Sequence, residues 1–268
     1  MTSSIADPTH LDDVTLRFYR DVLERMRRSG PPFLVGGAYA FACYTGIVRH
    51  TKDLDLFVRP ADAGAALETL AAAGCRTEIA FNHWLGKAFR EEDFVDIIYS
   101  SGNGLCPVDD AWFGHAVAHP VLGRPASLCP PEEMIWQKAF IQERERFDGA
   151  DVAHLIHARG RTLDWRRLLD RFGSHGRVLF GHLVLFSYIY PAARDRIPGW
   201  VLDELTARWR AEESAPPPEG PECRGVLLSR MQYLSDLERG GGRDPRLPPS
   251  GSLSAEEVKA WTDAAFAH

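Results

Sequence analysis

Asp53 and Asp55 stand one residue apart in "KDLDLFV", a run that is otherwise apolar after its lysine. On a strand, alternation puts both carboxylates on one face and Leu54 and Leu56 on the other. Two carboxylates this close repel each other and raise their own pKa values unless a proton or a cation intervenes. Mg2+ resolves the conflict, because it takes oxygen ligands from one or two carboxylates together with substrate phosphates. A third acid, Asp96, lies in "FVDIIY", flanked by apolar residues on what reads as a neighbouring strand. Three carboxylates can hold two ions about 3.5–4 Å apart, one activating an attacking hydroxyl and the other binding a triphosphate and its leaving pyrophosphate. The structural alternatives are a surface pair on an edge strand for Asp53 and Asp55, and an ion pair with an arginine such as Arg90 for Asp96.

Upstream, "FLVGGAYAFACYTG" reads as a strand at 33–35, the turn Gly36-Gly37, and a helix closed by Gly46. Glycines at the mouth of a helix let a ligand approach the backbone, and the helix dipole there favours an anion. Gly36 and Gly37 are therefore a candidate phosphate seat, with a plain strand-to-helix turn as the alternative. A triphosphate seat beside a metal-binding pair suggests phosphoryl or nucleotidyl transfer. Arg49 and Lys52 flank the Asp-x-Asp strand, placed either to touch phosphates or to pair with the carboxylates. Lys87 and His83 fall in the strand-rich segment that follows and could face the same cleft.

These residues need elements to hold them. Apolar spacing predicts a helix over 12–28, strands at 33–35 and 53–58, and a helix over 62–73. Short strands follow between 75 and 99, and then a loop-rich stretch to 130 with extended pieces in "HPVL" and "ASLC". After Pro130 the pattern turns helical, with helices over "PPEEMIWQKAFIQERERF", 148–159, 164–172, 176–190 and 200–213. The expected fold class is α+β: a small mixed sheet with flanking helices over 1–130, followed by a mostly α-helical region over 131–268. Flexible linkers are expected near 214–222 and 239–252, with a loosely tied helix near 254–267.

The stretch "FLVGGAYAFACYTGIVRHTKDLDLFV" resembles the nucleotidyltransferase superfamily typified by DNA polymerase beta. There a strand, a Gly-Gly or Gly-Ser turn, a helix and an Asp-x-Asp strand recur in this order. The nearest likeness is to minimal bacterial nucleotidyltransferases of the abortive-infection toxin type. Their "GG-A" and "R-x-T-x-D-x-D" strings match Gly36, Gly37 and Ala38, then Arg49, Thr51, Asp53 and Asp55. The resemblance implies a polymerase beta-like fold and a transferase that moves NMP from an NTP to a hydroxyl acceptor, releasing pyrophosphate. The acceptor is an RNA end such as tRNA, a protein, or a small molecule such as an antibiotic. It implies two Mg2+ ions, with Mn2+ as a substitute, on Asp53, Asp55 and Asp96 as metal and catalytic residues. It implies nucleotide contacts from Gly36, Gly37, Arg49 and Lys138. Asp151 would lie near the site or anchor its helix, and a toxin role would bring an antitoxin-type protein partner. The Gly-Gly turn departs from the Gly-Ser of many members and lacks the serine hydroxyl. The competing reading is a non-catalytic nucleotide-binding or interaction module that retains the fold.

Composition bounds the remainder. The chain has 268 residues, 45% hydrophobic and 25% charged, and its net charge of -6 argues against coating nucleic acid non-specifically. Cys43, Cys75, Cys106, Cys129 and Cys223 form no C-x-x-C, so free thiols in a reducing compartment are expected rather than a zinc site. The first ten residues carry no leader pattern, and no apolar run approaches ~18 residues. A cytoplasmic protein without a membrane span is expected. His154 and His157 share a helix face, but a metal site would need another ligand. Six arginines lie between 159 and 177, read as a solvated face or, alternatively, as a guide for an RNA backbone.

Overall fold

The computed structural model describes residues 11–49, 51–217 and 220–266. The first ten residues, and with them the leader reading, lie outside this range. The chain divides into two compact units, Met1–Pro130 and Pro131–His268.

The first unit opens with α1 (Asp13–Ser29), capped by Asp12, whose carboxylate accepts from the N–H groups of Val14 and Thr15. Then come β1 (Leu34–Val35), α2 (Gly37–Thr45), β2 (Asp53–Phe57) and α3 (Ala63–Ala71). The strands β3 (Arg76–Phe81), β4 (Leu85–Arg90) and β5 (Asp93–Ile98) follow, then α4 (Asp110–Gly114), β6 (Val117–Val121) and β7 (Arg124–Leu128). All seven strands join one mixed sheet in the order β3-β4-β5-β2-β1-β7-β6. β2 runs parallel to β5 and β1 parallel to β7, while the other pairs are antiparallel.

Alternation sorts the two faces as expected. Leu54, Leu56, Val95 and Ile97 are fully buried, on the face opposite Asp53, Asp55 and Asp96. α1 buries Phe18, Tyr19, Val22, Leu23 and Met26. On the acid-bearing face the row ends in an apolar anchor, where Phe57 stacks on the fully buried Trp112 with ring centroids 5.4 Å apart. Trp112→Ala would leave a void against the strand that carries the acids. It is expected to lower stability by roughly 3–5 kcal/mol, read by urea unfolding.

The pieces "HPVL" and "ASLC" are more ordered than a loop-rich stretch suggests. They pair as the hairpin β6-β7, turned by Leu122 and Gly123, both at positive φ. β7 then lies parallel to β1, a pairing between segments some ninety residues apart that local pattern does not disclose.

The second unit is helical: α5 (Pro131–Ala139), α6 (Gly149–Arg159), α7 (Trp165–Phe172), α8 (Gly176–Ile189), α9 (Gly199–Ser214), α10 (Leu234–Gly240) and α11 (Ala255–Asp263). The helix expected to run on to Phe147 stops at Ala139. The charged run Glu143–Arg146 offers no apolar stripe to bury, and the chain instead closes a loop in which Asp148 N–H donates to the Ile141 carbonyl. The arginine run is also not a single solvated face. Arg167 and Arg171 turn inward to Glu133, which is fully buried, and Arg167 also meets Glu132 at 2.6 Å. The stretch near 239–252 is more anchored than a flexible linker. Arg246 is buried there and holds Asp244 at 2.7 Å. Part of the 214–222 linker lies outside the described residues. The five cysteines are free thiols. No helix of the described residues is long and apolar enough to cross a membrane.

Candidate active site

Parallel pairing of β2 with β5 sets Asp55 directly beside Asp96, and Asp53 lies one pleat away on the same face. One oxygen from each of the three carboxylates lies within 4.8 Å of the others. Hard oxygen donors at this spacing suit a divalent cation such as Mg2+. Among the described residues, this is the group of acids and histidines that converges in this way. His154 and His157 recruit no further ligand there, and His157 packs on Tyr190 at 4.5 Å between ring centroids.

The carboxylates are held by different means. Thr51 Oγ1 donates to Asp53 Oδ1. The Tyr19 hydroxyl donates to the Lys52 carbonyl at 3.0 Å and so fixes the entry to β2. Burial, with added repulsion from Tyr39, Asp93, Asp53 and Asp55, pushes that hydroxyl far up, so Tyr19 remains a donor. Asp96 is bound by Lys87, whose Nζ lies 2.6 Å from Oδ1. Burial lifts the Asp96 carboxyl above the ordinary carboxylate value; Lys87 pulls it down and the Asp53 charge adds to the lift.

Gly36 and Gly37 sit at the start of α2 as expected. The room the two glycines leave is filled by the chain's own side chains, those of Phe57 and Asp55. The Gly36 N–H donates to the Asp55 carbonyl at 3.0 Å, extending the sheet, so it is not an open donor for phosphate. A Cβ on Gly36 would lie 2.7 Å from Phe57 Cδ2. Gly37 has φ +53°, and a Cβ there would overlap Asp55 Oδ2 and lie 2.6 Å from its Cγ. The glycine pair thus lets α2 close directly onto the Asp55 carboxylate, whose negative charge faces the positive end of the helix dipole.

Arg49 is exposed, and its guanidinium lies 4.6 Å from the Phe41 ring centroid on α2. Arg90, the proposed partner of Asp96, pairs instead with Asp21 at 2.9 Å. Lys138 and Asp151 belong to the second unit. Lys138 Nζ lies 2.8 Å from both Asp148 and Asp151, where it ties α5 to α6. Burial opposes ionisation of Asp148, but Arg146 and Lys138 outweigh it and hold this carboxyl below its ordinary value. Its stabilising contribution is therefore complete above the unfolded pKa near 3.8 and is lost as pH falls through the lower folded one. Asp148→Asn is expected to cost roughly 3 kcal/mol at pH 7 and to flatten the loss of stability below pH 4. Urea unfolding followed by circular dichroism at several pH values reads both.

The sequence alone places Lys87 only as a residue that could face the cleft, and the structure sets it on Asp96. The signal was present: a two-residue turn at Glu91–Glu92 pairs Arg90 with Asp93, and counting back along both strands pairs Lys87 with Asp96.

No family model and no curated protein matches the chain. Among solved structures it is similar to the antibiotic-resistance factor ANT(2'')-Ia, at 14% identity over 76% of this chain and 97% of that one, with a TM-score of 0.43. It is similar to the lincosamide antibiotic adenylyltransferase LnuA, at 14% identity over 55% of this chain and 98% of that one, with a TM-score of 0.37. An antigenic nucleotidyltransferase-like protein from Paracoccidioides brasiliensis also matches, at 14% identity over 64% of this chain and 92% of that one, with a TM-score of 0.37. All three are distant likenesses of fold, and the functional reading rests on the geometry of the triad.

Proposed function

We propose that this chain is a divalent-metal-dependent nucleotidyltransferase that moves NMP from an NTP to a hydroxyl acceptor, with pyrophosphate leaving. The observation that carries this reading is the convergence of Asp53, Asp55 and Asp96 within 4.8 Å, beside a helix start that only glycine can bring so close. The three carboxylates are the residues that would hold Mg2+, as one ion or two, with Mn2+ as a substitute. When bound, the metal neutralises triphosphate charge and makes the acceptor hydroxyl more acidic.

The chain's own residues do the positioning. Thr51 orients Asp53, and the packing of α2 onto Asp55 fixes the second carboxylate. Asp96 is the carboxylate that would receive the acceptor's proton. The acceptor oxygen forms a bond to the α-phosphorus as the bond from that phosphorus to the pyrophosphate oxygen breaks. Arg49, exposed beyond the end of α2, would meet the outer phosphates. Lys138 and Asp151 are assigned to holding α5 against α6 rather than to the nucleotide.

The acceptor class is read by experiment. The protein is incubated with each α-labelled NTP, Mg2+ and separate RNA, protein and metabolite fractions. Label is expected to enter one fraction, and to be absent with Asp53→Ala. Nucleotide binding with no label in any fraction and no pyrophosphate would instead support the non-catalytic module. An antitoxin-type partner would be recognised as a protein that binds the chain and stops label transfer.

A further inference from the structure

The row of residues that crosses the sheet at Asp55 continues through Asp96 to Lys87 and then to Glu78, each a register partner of the last. Lys87 is 24% exposed and the Asp96 side chain 12%. The Lys87 ammonium also lies 4.5 Å from the centroid of the Phe94 ring. Glu78, its other cross-strand neighbour, is engaged with Arg76 at 2.7 Å. The lysine is therefore committed toward the acids and away from the sheet edge. Three carboxylates and one ammonium leave the formal charge that one divalent ion neutralises.

We propose that Lys87 is a positioning residue that holds Asp96 in the metal-free protein and competes with a divalent ion for Asp96 Oδ1, and so sets the affinity of the triad for metal. The proposal rests on the reading of the triad as a metal centre. The pair is partly buried, where charge interactions are weakly screened. A dication approaching Asp96 meets an ammonium 2.6 Å from one of its oxygens, and the two cations repel. Taking away the ammonium while keeping the apolar stem leaves a partly buried carboxylate without its counter-charge. A metal ion then becomes the way to neutralise it. Arginine, always charged, keeps the competition.

The test is titration of the full chain with Mn2+ and no nucleotide, with free Mn2+ read by electron paramagnetic resonance. Lys87→Met is expected to bind Mn2+ about tenfold more tightly than wild type, and Lys87→Arg to stay close to wild type. Asp96→Asn is expected to bind more weakly, and adding Lys87→Met to it to give no gain. A thermal melt accompanies each variant, and Lys87→Gln takes the place of the methionine variant if that one fails to fold. Wild-type binding with equal or weaker binding by the folded Lys87→Met variant, or by Lys87→Gln in its place, overturns the proposal alone. A gain that persists in the Asp96→Asn background also overturns it. Wild type that binds no Mn2+ overturns both the proposal and the metal-centre reading.

Discussion

Asp55→Asn is expected to lower NMP transfer by at least on the order of 10²–10³-fold, while the metal-free protein stays at least as stable as wild type. The two halves of this expectation come from the same geometry. Asp55 stands beside Asp96 in the parallel register, with Asp53 on the same face, so in the absence of metal the charges repel. Removing one charge relieves that repulsion, which outweighs the weaker attraction lost to the start of α2, and the amide keeps the shape on which α2 packs. On the proposed reading, the same charge would be one of the few groups that stabilise a highly anionic transition state, and the amide would supply no replacement. Transfer is measured with an α-labelled NTP and the identified acceptor, and stability by thermal melting in EDTA. A variant that is unstable and inactive together would mean that Asp55 is a structural residue. One that is stable and fully active would remove it from the site.

Gly37→Ser is the second large effect, and its direction is informative. It recreates the Gly-Ser turn found in many members of the superfamily this chain resembles, and a serine hydroxyl could be expected to help bind the triphosphate. The geometry here predicts the opposite. At φ +53° an added Cβ would overlap Asp55 Oδ2, so either the carboxylate or the start of α2 must move. A displacement of about 1 Å in a reacting group can cost on the order of 10²-fold in rate. The left-handed backbone adds a further cost of about 1–2 kcal/mol for any residue with a side chain. Gly37→Ala is expected to behave like Gly37→Ser, because the Cβ and not the hydroxyl does the damage. A serine variant more active than wild type would show that the turn relaxes freely.

Much of the first unit was legible because its signals are local. Alternation in "DLDLFV" puts Asp53 and Asp55 on one face and Leu54 and Leu56 on the other, which is how they stand, whereas Asp96 joins that face only through the parallel register of β2 with β5. Gly46 closed α2, and Pro131 opened α5. What escaped depended on tertiary pairing. Lys87 belongs to the site through hairpin register, which counting from the Glu91–Glu92 turn would have revealed. The demand for glycine at position 37 comes from Asp55, which is distant in sequence. β7 meets β1 only because the chain returns across the sheet. In the helical unit, composition misled: Arg167 and Arg171 look like surface charge until the buried Glu133 is known to lie against them. Lys138 matched a family expectation by order along the chain, while Asp148 and Asp151 account for its position.

The most direct measurement is an anomalous difference map from crystals of the chain grown with Mn2+ and a non-hydrolysable NTP. Mn2+ density is expected bonded to Asp53 and Asp55, with Asp96 at the same cluster and the α-phosphate against it. A map with the nucleotide bound and no metal among these three carboxylates would contradict it.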